Sequence, residues 1–155
     1  MSYFDSMRET IENQLSKRID RKRGDVFLRA DFADLGGYDQ VGRALHQLVR
    51  HGRLLRIGSG LYVRARPSTL DGTPTPAKGL HALADEALRR LGVQTAPTRI
   101  EEAYSAGKTT QVPAGRRVGV AKRVRRKIGY NGVTISFEHT RPRDAHMLDL
   151  NHEAV

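Results

Sequence analysis

The sequence predicts an α+β protein, mainly helical, in two small parts. Three observations predict it. Apolar residues recur at three- and four-residue spacing through several segments, the mark of amphipathic helices. Two segments switch to alternating apolar and polar residues around glycine corners, the mark of β-hairpins. Between them, "RPSTLDGTPTPAK" (Arg66 to Lys78) carries three prolines, a glycine and several hydroxyl residues. Such a stretch reads as a linker or long loop. The expected layout is residues 1–66, a Pro-rich linker 67–78, and residues 79–155.

The elements of the first part follow in order. Phe4, Met7, Ile11, Leu15 and Ile19 fall on one face of an opening helix, which the charged "RIDRKRG" ends. Val26, Phe27 and Leu28 read as a brief strand, and "ADFADLGG" as a short second helix. A third helix is expected over "YDQVGRALHQLVRHG", with Asp39 as N-cap and Gly52 as the stop. Val41, Leu45 and Leu48 form its inner stripe; Arg43, His46 and Arg50 face outward, flanked by Gln40 and Gln47. The ribbon "RLLRIGSGLYVRAR" follows at once, with strands Leu54–Ile57 and Leu61–Arg64 and a turn at Gly58-Ser59-Gly60. Helix, strand, helix, helix and two-stranded ribbon make a winged helix-turn-helix, with the ribbon as the wing.

In the second part Leu80, Leu83, Ala84, Ala87, Leu88 and Leu91 mark a helix that Gly92 stops. Thr98 with Glu101 forms a capping box for the next helix. The period then changes to two. "RVGVA" reads as a strand, and "RRKIGYNGVTISFEH" as a basic hairpin turning at Asn131-Gly132. The expected second part is a small α+β domain.

Composition bounds the function. The chain has 155 residues, a net charge of +10 and no cysteine, which excludes disulfides, cysteine nucleophiles and cysteine-based zinc sites. Residues 1–66 carry 13 basic and 8 acidic side chains and residues 67–155 carry 14 and 9, so both parts are basic. An arginine-rich surplus of this size suits contact with nucleic acid or another polyanion, because phosphates attract Lys and Arg without regard to sequence. It also suits a plain basic protein whose arginine content is inflated by a GC-rich genome. No segment approaches the ~18 consecutive apolar residues of a membrane helix. "MSYFDSMRET" lacks a basic stretch followed by an apolar one, so the expected location is the cytoplasm.

A recognition helix offers outward side chains to base edges, while other cations grip phosphates. Gln suits adenine and Arg suits guanine. The candidate DNA-contacting residues are therefore Gln40, Arg43, Gln47 and Arg50 on the helix, with Arg56, Ser59 and Arg64 on the ribbon. The bland alternative is the solvated side of an amphipathic helix, or a winged helix used to dock protein. A second basic strip comprises Arg116, Arg117, Lys122, Arg123, Arg125, Arg126 and Lys127. It could bind phosphate, dock an acidic partner, or blunt a sheet edge.

Enzyme patterns are weak, and neither a catalytic set nor a metal or cofactor site is expected. The six histidines (His46, His51, His81, His139, His146 and His152) make no metal-binding motif. Asp85-Glu86 and Glu101-Glu102 are neighbours on helices, where consecutive side chains diverge. Gly107-Lys108-Thr109 lacks the upstream glycine of a phosphate loop; that position is Glu102.

"GDVFLRADFADLGGYDQVGRALHQLVRHGRLLRIGSGLYVRAR" resembles the N-terminal winged helix of the AbiEi-like antitoxins of type IV toxin–antitoxin and abortive-infection systems. "TTQVP" (Thr109 to Pro113) is similar to a short motif in the second domain of one branch of that family. The likeness spans roughly residues 8–141, short of the further helical structure with which longer relatives continue. It implies a winged helix that binds inverted repeats in its own promoter, with DNA contact at Gln40, Arg43, Gln47, Arg56, Ser59 and Arg64. It also implies a second domain that helps neutralise a nucleotidyltransferase-like toxin without a stable complex. The expected function is thus a double-stranded DNA-binding autorepressor, an antitoxin of a phage-defence locus. The rival is an accessory subunit of a mobile-element or defence complex that docks protein through its winged helix. Repressors of this kind commonly pair on two half-sites, so a homodimer fits the same reading.

Overall fold

The computed structural model describes residues 9–113 and 115–140. It is α+β, with two compact units, Met1–Lys78 and Gly79–Val155. Phe4 and Met7, expected on the first helix, and His146 and His152 lie outside the described residues.

In the first unit, α1 (Ile11–Arg21) starts at Thr10, whose hydroxyl accepts the Asn13 N–H at 3.2 Å. Leu15 and Ile19 are its buried face. Strand β1 (Val26–Leu28) leads into the second helix of the motif, Arg29–Leu35, which is a 3-10 helix kinked at Phe32. Asp31 tightens its start by accepting the Leu28 N–H at 2.9 Å.

Helix α2 (Tyr38–Arg50) begins one residue ahead of the expected cap: Gly37, not Asp39, is the N-cap. Gln40 closes this end by accepting the Gly37 N–H at 3.1 Å, so the cap arrives from inside the helix. The other end is as expected. Gly52 sits at φ +75°, with its N–H donating to Val49 O and that of Arg53 to Leu48 O, both at 3.0 Å. That pair of bonds is the Schellman stop, which needs a left-handed residue and so favours glycine. Leu15, Phe27, Phe32, Val41, Leu45 and Leu54 meet in one core. Each fully buried Leu or Phe there contributes about 1.5–3 kcal/mol.

Strands β2 (Leu54–Gly58) and β3 (Leu61–Pro67) form the ribbon, antiparallel, with a bulge between Arg56 and Gly58. The strand order is β1-β3-β2. The Pro-rich stretch is not a free tether. Strand β4 (Pro74–Pro76) pairs antiparallel with β3, matching Ala65 to Pro76 and Pro67 to Pro74. Its turn is held by Asp71 Oδ1, which accepts the Thr73 N–H at 3.0 Å and hydroxyl at 2.7 Å. Prolines lack an N–H and are tolerated where a strand is paired on one side only, which suits β4.

In the second unit, α3 (Leu80–Arg90) buries Leu83, Ala84, Ala87 and Leu88. Strand β5 (Thr95–Ala96) precedes α4 (Arg99–Ser105), which Thr98 caps by accepting the Glu101 N–H at 3.2 Å. Strand β6 (Arg117–Val120) matches the predicted "RVGVA" strand. The Asn131-Gly132 corner joins two very short strands, β7 (Gly129–Tyr130) and β8 (Val133–Thr134). The expected hairpin does not run on to His139. Beyond the buried Ile135 the chain leaves it, and β9 (Ser136–His139) pairs parallel with β6. The sheet order is β5-β6-β9.

Candidate nucleic-acid interface

The solvent side of α2 is cationic. Arg43, His46 and Arg50 are exposed, and neither arginine has an ion pair among the described residues. Gln47 is half-buried at the edge of this face. Gln40 is exposed, but its Oε1 is occupied by the Gly37 N–H, which leaves its amide N–H groups for other partners. On the ribbon, Arg56 is exposed and donates from Nε to Gly58 O at 3.2 Å; Ser59 is exposed at the turn.

Arg64 departs from this set. It was expected outward beside Arg56, yet it turns inward. Its Nε pairs with Asp25 Oδ1 at 3.2 Å, and one Nη donates to the carbonyls of Ile19, Lys22 and Gly24 at 2.9, 3.0 and 3.2 Å. Its guanidinium also lies over the Phe27 ring, 5.3 Å from the centroid. The carbonyls lie at the end of α1 and in the turn after it, where the helix ladder runs out, and one guanidinium reaches all three. Arg64 is a structural clamp.

Arg29 is the residue that sequence reasoning missed. Its backbone N–H donates to Gly60 O in the ribbon turn at 3.1 Å. Its guanidinium lies over the Tyr38 ring, 4.2 Å from the centroid, and against the bare backbone of Gly42. It thus touches both the ribbon turn and α2. Arg29, Asp39, Gly42, Arg43 and His46 line an open cleft of about 480 Å³. No local signal announces this, because the contact needs Gly42 one turn into a helix and an arginine from another element.

Several other cations of this unit are spent internally. Arg18 forks onto Asp34 at 2.6 and 2.7 Å, and that hydrogen bonding holds the Asp34 carboxyl below its ordinary range. Arg53 reaches Asp20 at 2.6 Å, Lys22 reaches Asp31 at 3.2 Å, and Lys78 reaches Asp25 at 2.7 Å.

In the second unit the basic strip is divided. Arg117 lies in β6 and pairs with Glu138 at 3.5 Å. Glu138 also accepts the Arg99 N–H at 2.8 Å, at the start of α4. Lys122, Arg123, Arg125, Arg126 and Lys127 are exposed on the irregular segment between β6 and β7, and Arg116 is exposed ahead of β6. They do not form the strand of a basic hairpin. His81, Glu101, Tyr104, Ser105, Pro113 and Gly115 line a second cleft of about 490 Å³. His81 Nε2 stands 3.8 Å from Glu101 Oε1, and Ser105 has no hydrogen bond to His81 among the described residues. Gly107 takes φ +71° just past α4, with the Lys108 N–H donating to Ala103 O at 2.8 Å, so "GKT" closes a helix. No helix among the described residues is long and apolar enough to cross a membrane.

No curated protein and no solved structure matches the chain. One family model, described as a family of unknown function (DUF6088), matches residues 10–153. That match takes in both units, and the chain belongs to the DUF6088 family.

Proposed function

We propose that this protein is a sequence-specific, double-stranded DNA-binding transcriptional regulator that docks α2 in the major groove. The supporting observation is the distribution of charge: among the described residues the outward cations of α2 have no acidic partner, while Arg18, Arg53 and Arg64 are paired. A recognition helix with free arginines and glutamine amides has the donors that guanine and adenine edges accept. Arg56 and the backbone around Ser59 lie on the adjoining ribbon, where phosphate contacts would fall.

The resemblance of the first unit to AbiEi-like antitoxins supports reading the regulator as an autorepressor of a type IV toxin–antitoxin or phage-defence locus. Its target is then an inverted repeat in its own promoter, bound by two copies, and its counterpart a nucleotidyltransferase-like toxin. The second unit would carry the neutralising role.

The test is binding of the DNA upstream of the protein's own reading frame, titrated against salt. Contacts to several phosphates make affinity fall at about −0.9 in log–log slope per phosphate. A winged helix that docks protein through an apolar surface would show no such slope, and a flat profile would replace the DNA reading with the docking one.

A further inference from the structure

Arg29 stands out from the other arginines described in its unit. Its Nε is closed off from solvent and has no hydrogen-bond partner. Among the described residues the guanidinium has no ion pair; it lies over the Tyr38 ring, 4.2 Å from the centroid. The half-buried guanidinium nevertheless lines an open cleft, and a charge held there without an acidic partner is placed to meet an anion from outside. The seat is specially shaped: a Cβ on Gly42 would come within 2.7 Å of an Arg29 Nη and 3.0 Å of its Cζ. Any side chain at position 42 would therefore push the guanidinium away. Tyr38, 73% exposed, supplies the other wall. The backbone bond from Arg29 to Gly60 O fixes the root of this side chain to the ribbon turn.

We propose that the cleft lined by Arg29, Arg43 and His46 is a phosphate site, in which Arg29, held between Tyr38 and Gly42, takes one backbone phosphate of the duplex. Arg29 is a rigid anchor that sets how α2 sits in the groove; Arg43, one turn along, is left to read a base. Asp39 is the one carboxylate on the cleft among the described residues. It lies in the first turn of α2, where the helix's free N–H groups offset its charge. With Arg29 and Arg43 also lining the cleft, the balance stays positive. A planar fork stacked on an aromatic ring is well suited to a phosphate, because its direction is set before the ligand arrives. This inference rests on the DNA reading above and adds the residue that orients the complex.

The experiment compares wild type, Arg29→Ala and Gly42→Ala by fluorescence anisotropy. The probes are a labelled duplex spanning the DNA upstream of the reading frame and a mixed-sequence duplex of equal length, each over a salt series. Gly42→Ala keeps every charge and favours the helix, so it reports on guanidinium placement in a protein expected to fold. The expected result is a roughly tenfold loss with both variants, equal on the two duplexes, and a salt slope flatter by about 0.9. Melting temperatures should stay close to the wild-type value for Arg29→Ala, since among the described residues its side chain makes no hydrogen bond and loses only the stack on Tyr38. Wild-type affinity and slope in both variants would overturn the phosphate site. So would a loss confined to the upstream duplex with the slope intact, which would make Arg29 a base reader. Failure of wild type to bind either duplex is a separate outcome: it removes the DNA reading itself.

Discussion

Two faces of the first unit hold the same residue type in opposite conditions. On the side where α1, the 3-10 helix and the sheet meet, arginines are consumed: Arg18 by Asp34, Arg53 by Asp20, and Arg64 by Asp25 and three carbonyls. On the α2 side, Arg29, Arg43 and Arg50 have no ion pair among the described residues. The contrast teaches that net charge is a poor guide to where a polyanion binds. Positive charge that counts for binding is what remains after the fold has used its share. An arginine is recognised as structural or free only by what its guanidinium touches.

The largest effect should come from breaking the consumed face. Arg64→Ala removes several charge-assisted hydrogen bonds from a half-buried site, with an expected stability loss of about 2–3 kcal/mol in urea unfolding. Its affinity for DNA, per folded molecule, should be unchanged; a binding loss without a stability loss would return Arg64 to the interface. Next come Arg43→Ala and Arg50→Ala. Each should cost about 1–3 kcal/mol of DNA binding if it reads a base, with relaxed choice at one position. Their urea midpoints should stay at wild type, because the side chains support nothing in the fold. A smaller shift is expected from replacing Lys122, Arg123 and Arg125 with Gln. If the second unit also meets phosphate, the salt slope should flatten by about 0.9 per contact; an unchanged slope would confine DNA binding to the first unit.

The smallest effect sharpens the comparison through pH. The Arg18 guanidinium holds the folded Asp34 carboxyl below its ordinary range. Its stabilisation is therefore complete above the unfolded carboxyl's pKa, about 3.9, and fades as pH falls through the lower folded value. Stability curves of wild type and Asp34→Asn should differ slightly at neutral pH and converge in acid. A difference that grows in acid would contradict the pairing.

Much of this was legible in the sequence wherever the signal was local. The stripe of α2, the Gly52 stop, the ribbon corner and the Asn131-Gly132 turn each depend on neighbours in the chain, and each is where the pattern put it. What escaped depends on distant residues. Alternation along the ribbon cannot show that Arg64 faces carbonyls at the end of α1, more than forty positions away at Ile19 and Lys22. Composition made Arg66 to Lys78 a linker, but composition does not register that β3 offers it an edge to pair with. The parallel pairing of β9 with β6 joins segments across the hairpin, beyond any period-two pattern. Arg29 was invisible because its meaning comes from the missing side chain at Gly42.

The pairing of β4 with β3 has a mechanical side. A pull on the chain from Gly79 onward reaches this short hem first, where three residue pairs and the Lys78–Asp25 bridge hold it. Peeling it would pay out residues 68–78, about 35 Å of slack when extended. Behind the hem, Arg64 still staples the sheet to α1. The hem is thus a sacrificial seam, able to absorb strain while the winged core stays shut.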